Sequence, residues 1–235
     1  MPEISKPPLP VGAELDNGGL WAQVLNRLQG SGQGNIRRPA LFLDRDGVIV
    51  EDTNYLHRPE DVRMIDGAAE VIARANRRAI PVIVITNQAG IGRGYYGWED
   101  FIAVQETIIE ELDKGGAFIN AVFACPHHKD GQPPYDQADH PWRKPNPGMI
   151  LDAAERLPLD LGRSWVIGDR AGDLEAAKTS GMSGGLHVLT GHGGDSGERD
   201  TAESLDGEGF QTVTAASIAE AVEILPIFSE GGDTA

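Results

Sequence analysis

The sequence predicts an α/β protein: a Rossmann-like, doubly wound, mainly parallel sheet with helices on both faces and no large cap domain. Three observations predict it. Strand-length apolar runs alternate with helix-like stretches from Ala40 onward. Three of those runs end in side chains able to do chemistry, Asp44, Thr86 and Asp169. The chain has 235 residues, 40% of them hydrophobic, enough for one α/β domain with a full core, and no apolar run is long enough to span a membrane as a helix.

Residues 1–34 read as a poorly ordered N-terminal segment. It is rich in proline and glycine to about residue 19, followed by a possible short helix at 20–29 and a flexible link at 30–34. The main domain is expected over 35–228, with a tail at 229–235. Strands are expected near 40–44, 81–86, 118–124, 163–168, 184–189 and 210–213. Helices are expected near 67–79, 98–114, 147–156, 170–180 and 216–225. The glycine- and acid-rich stretch 191–209 reads as a surface loop. The gap from Gly47 to Gly67 holds a short flap rather than a cap, so an open site shaped by loops is expected.

Formal net charge is -16, which argues against a nucleic-acid partner, because phosphate backbones are bound by lysine and arginine clusters. The single cysteine, Cys125, fits a reducing compartment. Met1 to Pro10 is proline-rich, without the apolar region of a signal peptide, so a cytoplasmic location is expected.

The chemistry centres on Leu43-Asp44-Arg45-Asp46-Gly47-Val48. Asp44 and Asp46 fall on one side of an extended chain, with Arg45 on the other. Like charges so close repel unless a cation or a proton intervenes. The pair suits a hard metal ion and a two-carboxylate mechanism, or else a strand end with solvated acids. Val82-Ile83-Val84-Ile85-Thr86-Asn87 ends in a hydroxyl and an amide. Arg143-Lys144-Pro145-Asn146-Pro147-Gly148 sets a basic pair before a helix start. Trp165-Val166-Ile167-Gly168-Asp169 ends in a carboxylate, with Asp173 one turn on. Each has an ordinary alternative: Thr86 a strand end, Lys144 a solvated charge, Asp169 a helix cap. Parallel strands bring their carboxyl ends to one edge, where such folds bind ligands, so Asp44, Thr86 and Asp169 are expected to meet.

Together and in this order, the four segments resemble the motifs of the haloacid dehalogenase-like (HAD-like) phosphohydrolase superfamily, from about Leu41 to Leu189. The extended Thr86-Asn87-Gln88-Ala89-Gly90-Ile91-Gly92-Arg93-Gly94 loop, with Cys125-Pro126-His127-His128, narrows the resemblance. It points to the branch containing heptose 1,7-bisphosphate phosphatases and histidinol phosphatases. The resemblance implies phosphate monoester hydrolysis through an aspartyl-phosphate. Asp44 would be the nucleophile, and Asp46 would serve as acid and then base. Mg²⁺ would be held by Asp44, the Asp46 carbonyl and Asp169, with Asp173 behind them holding a metal-bound water or orienting Lys144. Thr86 and the backbone near Asn87 would hold phosphate oxygens, and Lys144 would neutralise their charge. Arg93 and Arg143 are the candidates for reading the rest of the substrate, with Gln88 lining the pocket.

The branch often carries a structural zinc on Cys-x-His, a loop, then Cys-x-Cys. Here Cys125 and His127 are present, but the second half reads His140-Pro141-Trp142. Cys125, His127 and His140 form a possible degenerate zinc site, yet Trp142 cannot ligate a metal, and zinc is expected less than its absence. The expected partner is a small phosphorylated metabolite, with no membrane and a monomer favoured. Histidinol phosphate or another metabolite phosphate is the rival substrate. An inactive binding module is the non-enzymatic alternative, against which Asp44, Asp46, Thr86, Lys144 and Asp169 are all retained.

Overall fold

The computed structural model describes residues 7–25 and 36–229. Eight strands form one sheet: β1 (Ala13–Leu15), β2 (Trp21–Val24), β3 (Leu41–Leu43), β4 (Val82–Asn87), β5 (Ala121–Cys125), β6 (Trp165–Gly168), β7 (Gly184–Val188) and β8 (Gln211–Ala215). Their spatial order is β1-β2-β5-β4-β3-β6-β7-β8, with β3 to β8 mutually parallel. The chain runs outward from β3 through β4 to β5, then crosses back to β6 on the other side of β3. The reversal opens a crevice at the carboxyl end of β3, where doubly wound sheets hold their ligands. Asp44 is the first residue beyond that end.

Among the described residues, seven helices cover the sheet: α1 (Ala68–Arg77), α2 (Ala89–Gly92), α3 (Trp98–Lys114), α4 (Gly148–Arg156), α5 (Ala171–Thr179), α6 (Glu198–Glu203) and α7 (Ala221–Ile224). Because successive strand residues face opposite sides, Leu41 and Leu43 enter one core and Phe42 the other. The first core also takes α1, α3 and α7, and the second takes α4, α5 and α6. The parallel strands are buried on both faces and read as near-continuous apolar runs.

Three expectations are corrected. Residues 13–24 are an antiparallel hairpin paired to β5, rather than unstructured chain leading into a helix. Leu20, Trp21 and Ala22 are all buried, and such a short apolar run has no decisive period. What selects the strand is Trp21, stacked on Trp98 at 5.6 Å and edge-on to Phe101 at 5.5 Å. The rest of the expected 20–29 helix, from residue 26, and the 30–34 link lie outside the described residues, as does the tail from 230. The stretch 191–209 contains α6, whose Ala202 is buried and whose Glu198 accepts the N–H of Ala171 at 2.8 Å. The expected 216–225 helix is a 3₁₀ turn at Ile218–Glu220 followed by α7.

Candidate active site

Asp44, Thr86 and Asp169 do converge, at the ends of β3, β4 and β6, on a cavity of about 540 Å³. Lys144 rises into it from the segment before α4. Its ammonium lies 3.0 Å from Asp44 Oδ1 and 2.7 Å from Asp173 Oδ1, and donates to the Ile85 carbonyl at 2.9 Å. All three of its donors are therefore used, as a buried ammonium requires. Asn87 fixes the lysine backbone, its amide donating to the Lys144 carbonyl and accepting the Lys144 N–H, both at 3.1 Å. Asp173 is held by the Arg170 N–H at 3.0 Å, at the start of α5.

Asp169 is gripped from two sides. Its Oδ2 accepts the His192 N–H at 2.7 Å. Gly47 and Gly191, both at positive φ, press against its carboxylate, and a β-carbon on either would run into Oδ2. The Gly47 turn that follows the aspartate pair is thus a close approach as well as a bend.

Burial raises the Asp44 carboxyl well above its ordinary range. Lys144 opposes that rise, while Asp173, Asp169 and Asp46 add to it. Asp169 is raised to about 7, by burial first and then by Asp173. Burial lowers Lys144, but Asp173 and Asp44 outweigh it and hold the ammonium charged. Asp44, Asp169 and Asp173 present ligand atoms within 4.8 Å of one another. Asp173 is committed to Lys144, which leaves Asp44 and Asp169 as a crowded anionic pair. A hard divalent cation fits that pair and would reverse the upward shifts.

Arg143 lines the cavity and donates to the His127 carbonyl at 2.8 Å. Gln88 lines it too, though its side chain is spent on Asp46 and Thr86. Arg93 is not among the lining residues; its guanidinium is bonded at 2.7 Å to the Oη of Tyr55, which is, and to Asp130 at 2.9 Å. Sequence reasoning missed Tyr55, Tyr96, Arg170, His192 and Glu198, all cavity-lining. They come from the flap, from the loop before α3 and from the stretches around α5 and α6, where no local pattern marks them. His192 bridges Asp52 at 2.9 Å and Asp195 at 2.8 Å, joining the flap to the loop after β7.

The possible zinc ligands lie close to one another, but among the described residues their ligand atoms do not form a group of three within 4.8 Å. The His127 and His140 rings stack in parallel at 3.9 Å instead. Cys125 Sγ lies 3.9 Å from His140 Nδ1, which already accepts the Trp142 N–H at 3.1 Å. Burial pushes the Cys125 thiol up to about 12 and the His140 imidazole down to about 4. Among the described residues, the grouping of ligand atoms that suits a metal is the aspartate one.

A buried carboxylate at a switch point, faced by a lysine and a second aspartate, is the arrangement of an aspartate-nucleophile phosphoryl-transfer site. A family model described as HAD-hydrolase-like matches residues 141–216. A D-glycero-β-D-manno-heptose-1,7-bisphosphate 7-phosphatase of Mesorhizobium japonicum is 48% identical over 150 residues, 64% of this chain and 69% of the relative. A HAD-like phosphatase from Mesorhizobium loti has a solved structure similar at a TM-score of 0.77 and 38% identity, covering 92% of this chain and 96% of that one. The D,D-heptose 1,7-bisphosphate phosphatase of B. bronchiseptica, solved with magnesium and phosphate, is similar at 0.65 and 31%, covering 79% and 98%. The chain belongs to the HAD-like phosphatase family, in the branch of the heptose 1,7-bisphosphate phosphatases.

Proposed function

We propose that this protein removes the 7-phosphate of a D-glycero-D-manno-heptose 1,7-bisphosphate, with Mg²⁺ as cofactor. The observation that carries the reading is the Asp44–Lys144–Asp173 chain, set beside Asp169 at the switch point. Asp44 Oδ attacks phosphorus, and the bond from phosphorus to the sugar C7 oxygen breaks. Asp46 gives that oxygen a proton. Water then attacks the aspartyl-phosphate, Asp46 takes the water's proton, and phosphate leaves with Asp44 restored. Thr86 and Lys144 hold the phosphoryl oxygens where their charge grows. Asp44, Asp169 and the Asp46 carbonyl would hold Mg²⁺, which supplies Lewis-acid neutralisation of phosphate charge. Arg143, on the cavity wall, is the group suited to the phosphate that stays.

The Cys125–Trp142 loop keeps its shape without zinc in this reading, supported by the histidine stack. A cytoplasmic location is part of the same proposal, supported by a single buried thiol, and a monomer is proposed with it. No helix among the described residues is long and apolar enough to cross a membrane. The departures at His140 and Trp142 favour one rival, a different small metabolite phosphate. The test is phosphate release from heptose 1,7-bisphosphate, histidinol phosphate and fructose 1,6-bisphosphate, with and without Mg²⁺. Mg²⁺-dependent preference for the heptose is the expected result. Equal, weak turnover of all three would sink the substrate assignment.

A further inference from the structure

The sequence places Arg45 opposite the aspartate pair, but its side chain bends back. Nε and Nη2 reach the two carboxylate oxygens of Asp46 at 3.1 and 3.0 Å. The guanidinium is 1% exposed and lies over the Phe101 ring at 5.5 Å. A buried arginine committed to one carboxylate is costly to build and has few other positions to adopt. A second arm closes on the same group. Gln88 Nε2 donates to Asp46 Oδ2 at 3.1 Å and to Thr86 Oγ1 at 2.7 Å. Gln88 Oε1 accepts from Arg45 Nη2 at 3.3 Å and from Tyr96 Oη at 2.6 Å. Gln88 can satisfy all four partners with its amide in one orientation only.

We propose that Arg45 and Gln88 form a clamp that fixes where the Asp46 carboxylate stands, beside Thr86, and that both are positioning residues for proton transfer. The clamp explains why an arginine between the aspartates and a glutamine after Thr86-Asn87 belong together in this chain, although 43 positions separate them. Tyr96 and Phe101 are its backing. They come from α3 and the loop before it, so the helix whose Trp98 packs on the N-terminal hairpin also aims the proton carrier. This rests on the acid–base role given to Asp46 above.

The experiment compares leaving groups. A sugar alkoxide needs a proton to depart, and p-nitrophenolate does not. Single-turnover release of the alcohol is measured for heptose 1,7-bisphosphate and for p-nitrophenyl phosphate, with wild type, Arg45→Lys, Gln88→Met and Asp46→Asn. Arg45→Lys keeps the charge but loses the fork. Displacement of a reacting group by about 1 Å costs about 10²-fold. The expected result is a 10- to 100-fold loss on the sugar phosphate, with KM within threefold, and less than threefold loss on the aryl phosphate. Gln88→Met is expected to show the same bias, more weakly, and carries the test if Arg45→Lys does not fold. If Asp46→Asn shows the bias and the clamp variants lose both substrates equally, the clamp is structural and the proposal falls. If Asp46→Asn itself shows no bias, the acid–base reading falls and takes the clamp with it.

Discussion

Two buried polar regions lie side by side at the carboxyl edge of the sheet, and they are held by different physics. Around Lys144 charge answers charge: one ammonium meets two carboxylates and a carbonyl, all within 3.0 Å of Nζ. Around His127 and His140 no ion pair closes on the rings themselves, although Asp16, Asp136 and Arg143 stand near His127. Burial lowers both imidazoles, and the pair is held by ring stacking and a backbone contact from His127 to the Gly18 carbonyl at 3.3 Å. The first region cannot lose a member without stranding a charge in low dielectric. The second can change composition so long as it stays packed. Trp142 packs there edge-on to Phe123.

The comparison is broken most directly at Asp44. Asp44→Asn is expected to reduce phosphate release by about 10⁴-fold or more, the scale on which nucleophile removal acts. A variant keeping a tenth of wild-type turnover would remove Asp44 from that role. Lys144→Met comes next. It leaves Asp44 and Asp173 facing each other unpaired, and a loss of about 3–5 kcal/mol of stability is expected from denaturant unfolding in EDTA. Added Mg²⁺ should raise the wild-type midpoint by relieving Asp44 and Asp169, by about 2.7 kcal/mol at 100 times its Kd. No Mg²⁺-dependent shift would mean the aspartate cluster is not a cation site.

Smaller effects belong to the loop. Arg143→Ala is expected to raise KM for a bisphosphate by about 10- to 100-fold, the worth of one charge-assisted hydrogen bond, with kcat little changed. Equal KM values for mutant and wild type would detach Arg143 from the substrate. The smallest effect is a pH dependence. His127 and His140 bind protons less readily folded than unfolded, so the unfolded chain takes up more protons as pH falls below about 6.5. Stability therefore falls from there toward pH 4, where His140 itself titrates in the fold. In His127→Phe and His140→Phe this part of the acid slope should flatten. Retention of the full slope would place its origin elsewhere.

Which parts were legible in the sequence follows from the same contrast. Asp44, Thr86 and Asp169 each sit where an apolar run stops, and Lys144 sits in a basic pair before a helix start, so a local pattern marks them and parallel topology brings the strand ends together. Asn87 and Gln88 were legible as pocket residues, but their amides turn inward to Lys144 and Asp46, which spacing alone does not reveal. The Asp130 that pairs with Arg93 lies 37 positions away, and a loop arginine carries no local sign of it. The hairpin was hidden for a related reason. Its strand state depends on Trp98 and Phe101, which lie far along the chain.

The strand order also bears on how the chain is made. Until Trp165–Gly168 is synthesised, β3 has a neighbour only on its β4 side. The strand that ends at Asp44 is then a bare edge of three apolar residues, Leu41, Phe42 and Leu43, open to pairing with another chain. The opposite flank is closed early, because the N-terminal hairpin caps β5 as soon as that strand emerges. A ribosome-bound intermediate of this protein is therefore one-sided, sheltered along β5 and adhesive along β3. Truncations that end between β5 and β6 should aggregate through that edge, and the vulnerability ends when β6 docks on β3 and brings Asp169 to the site.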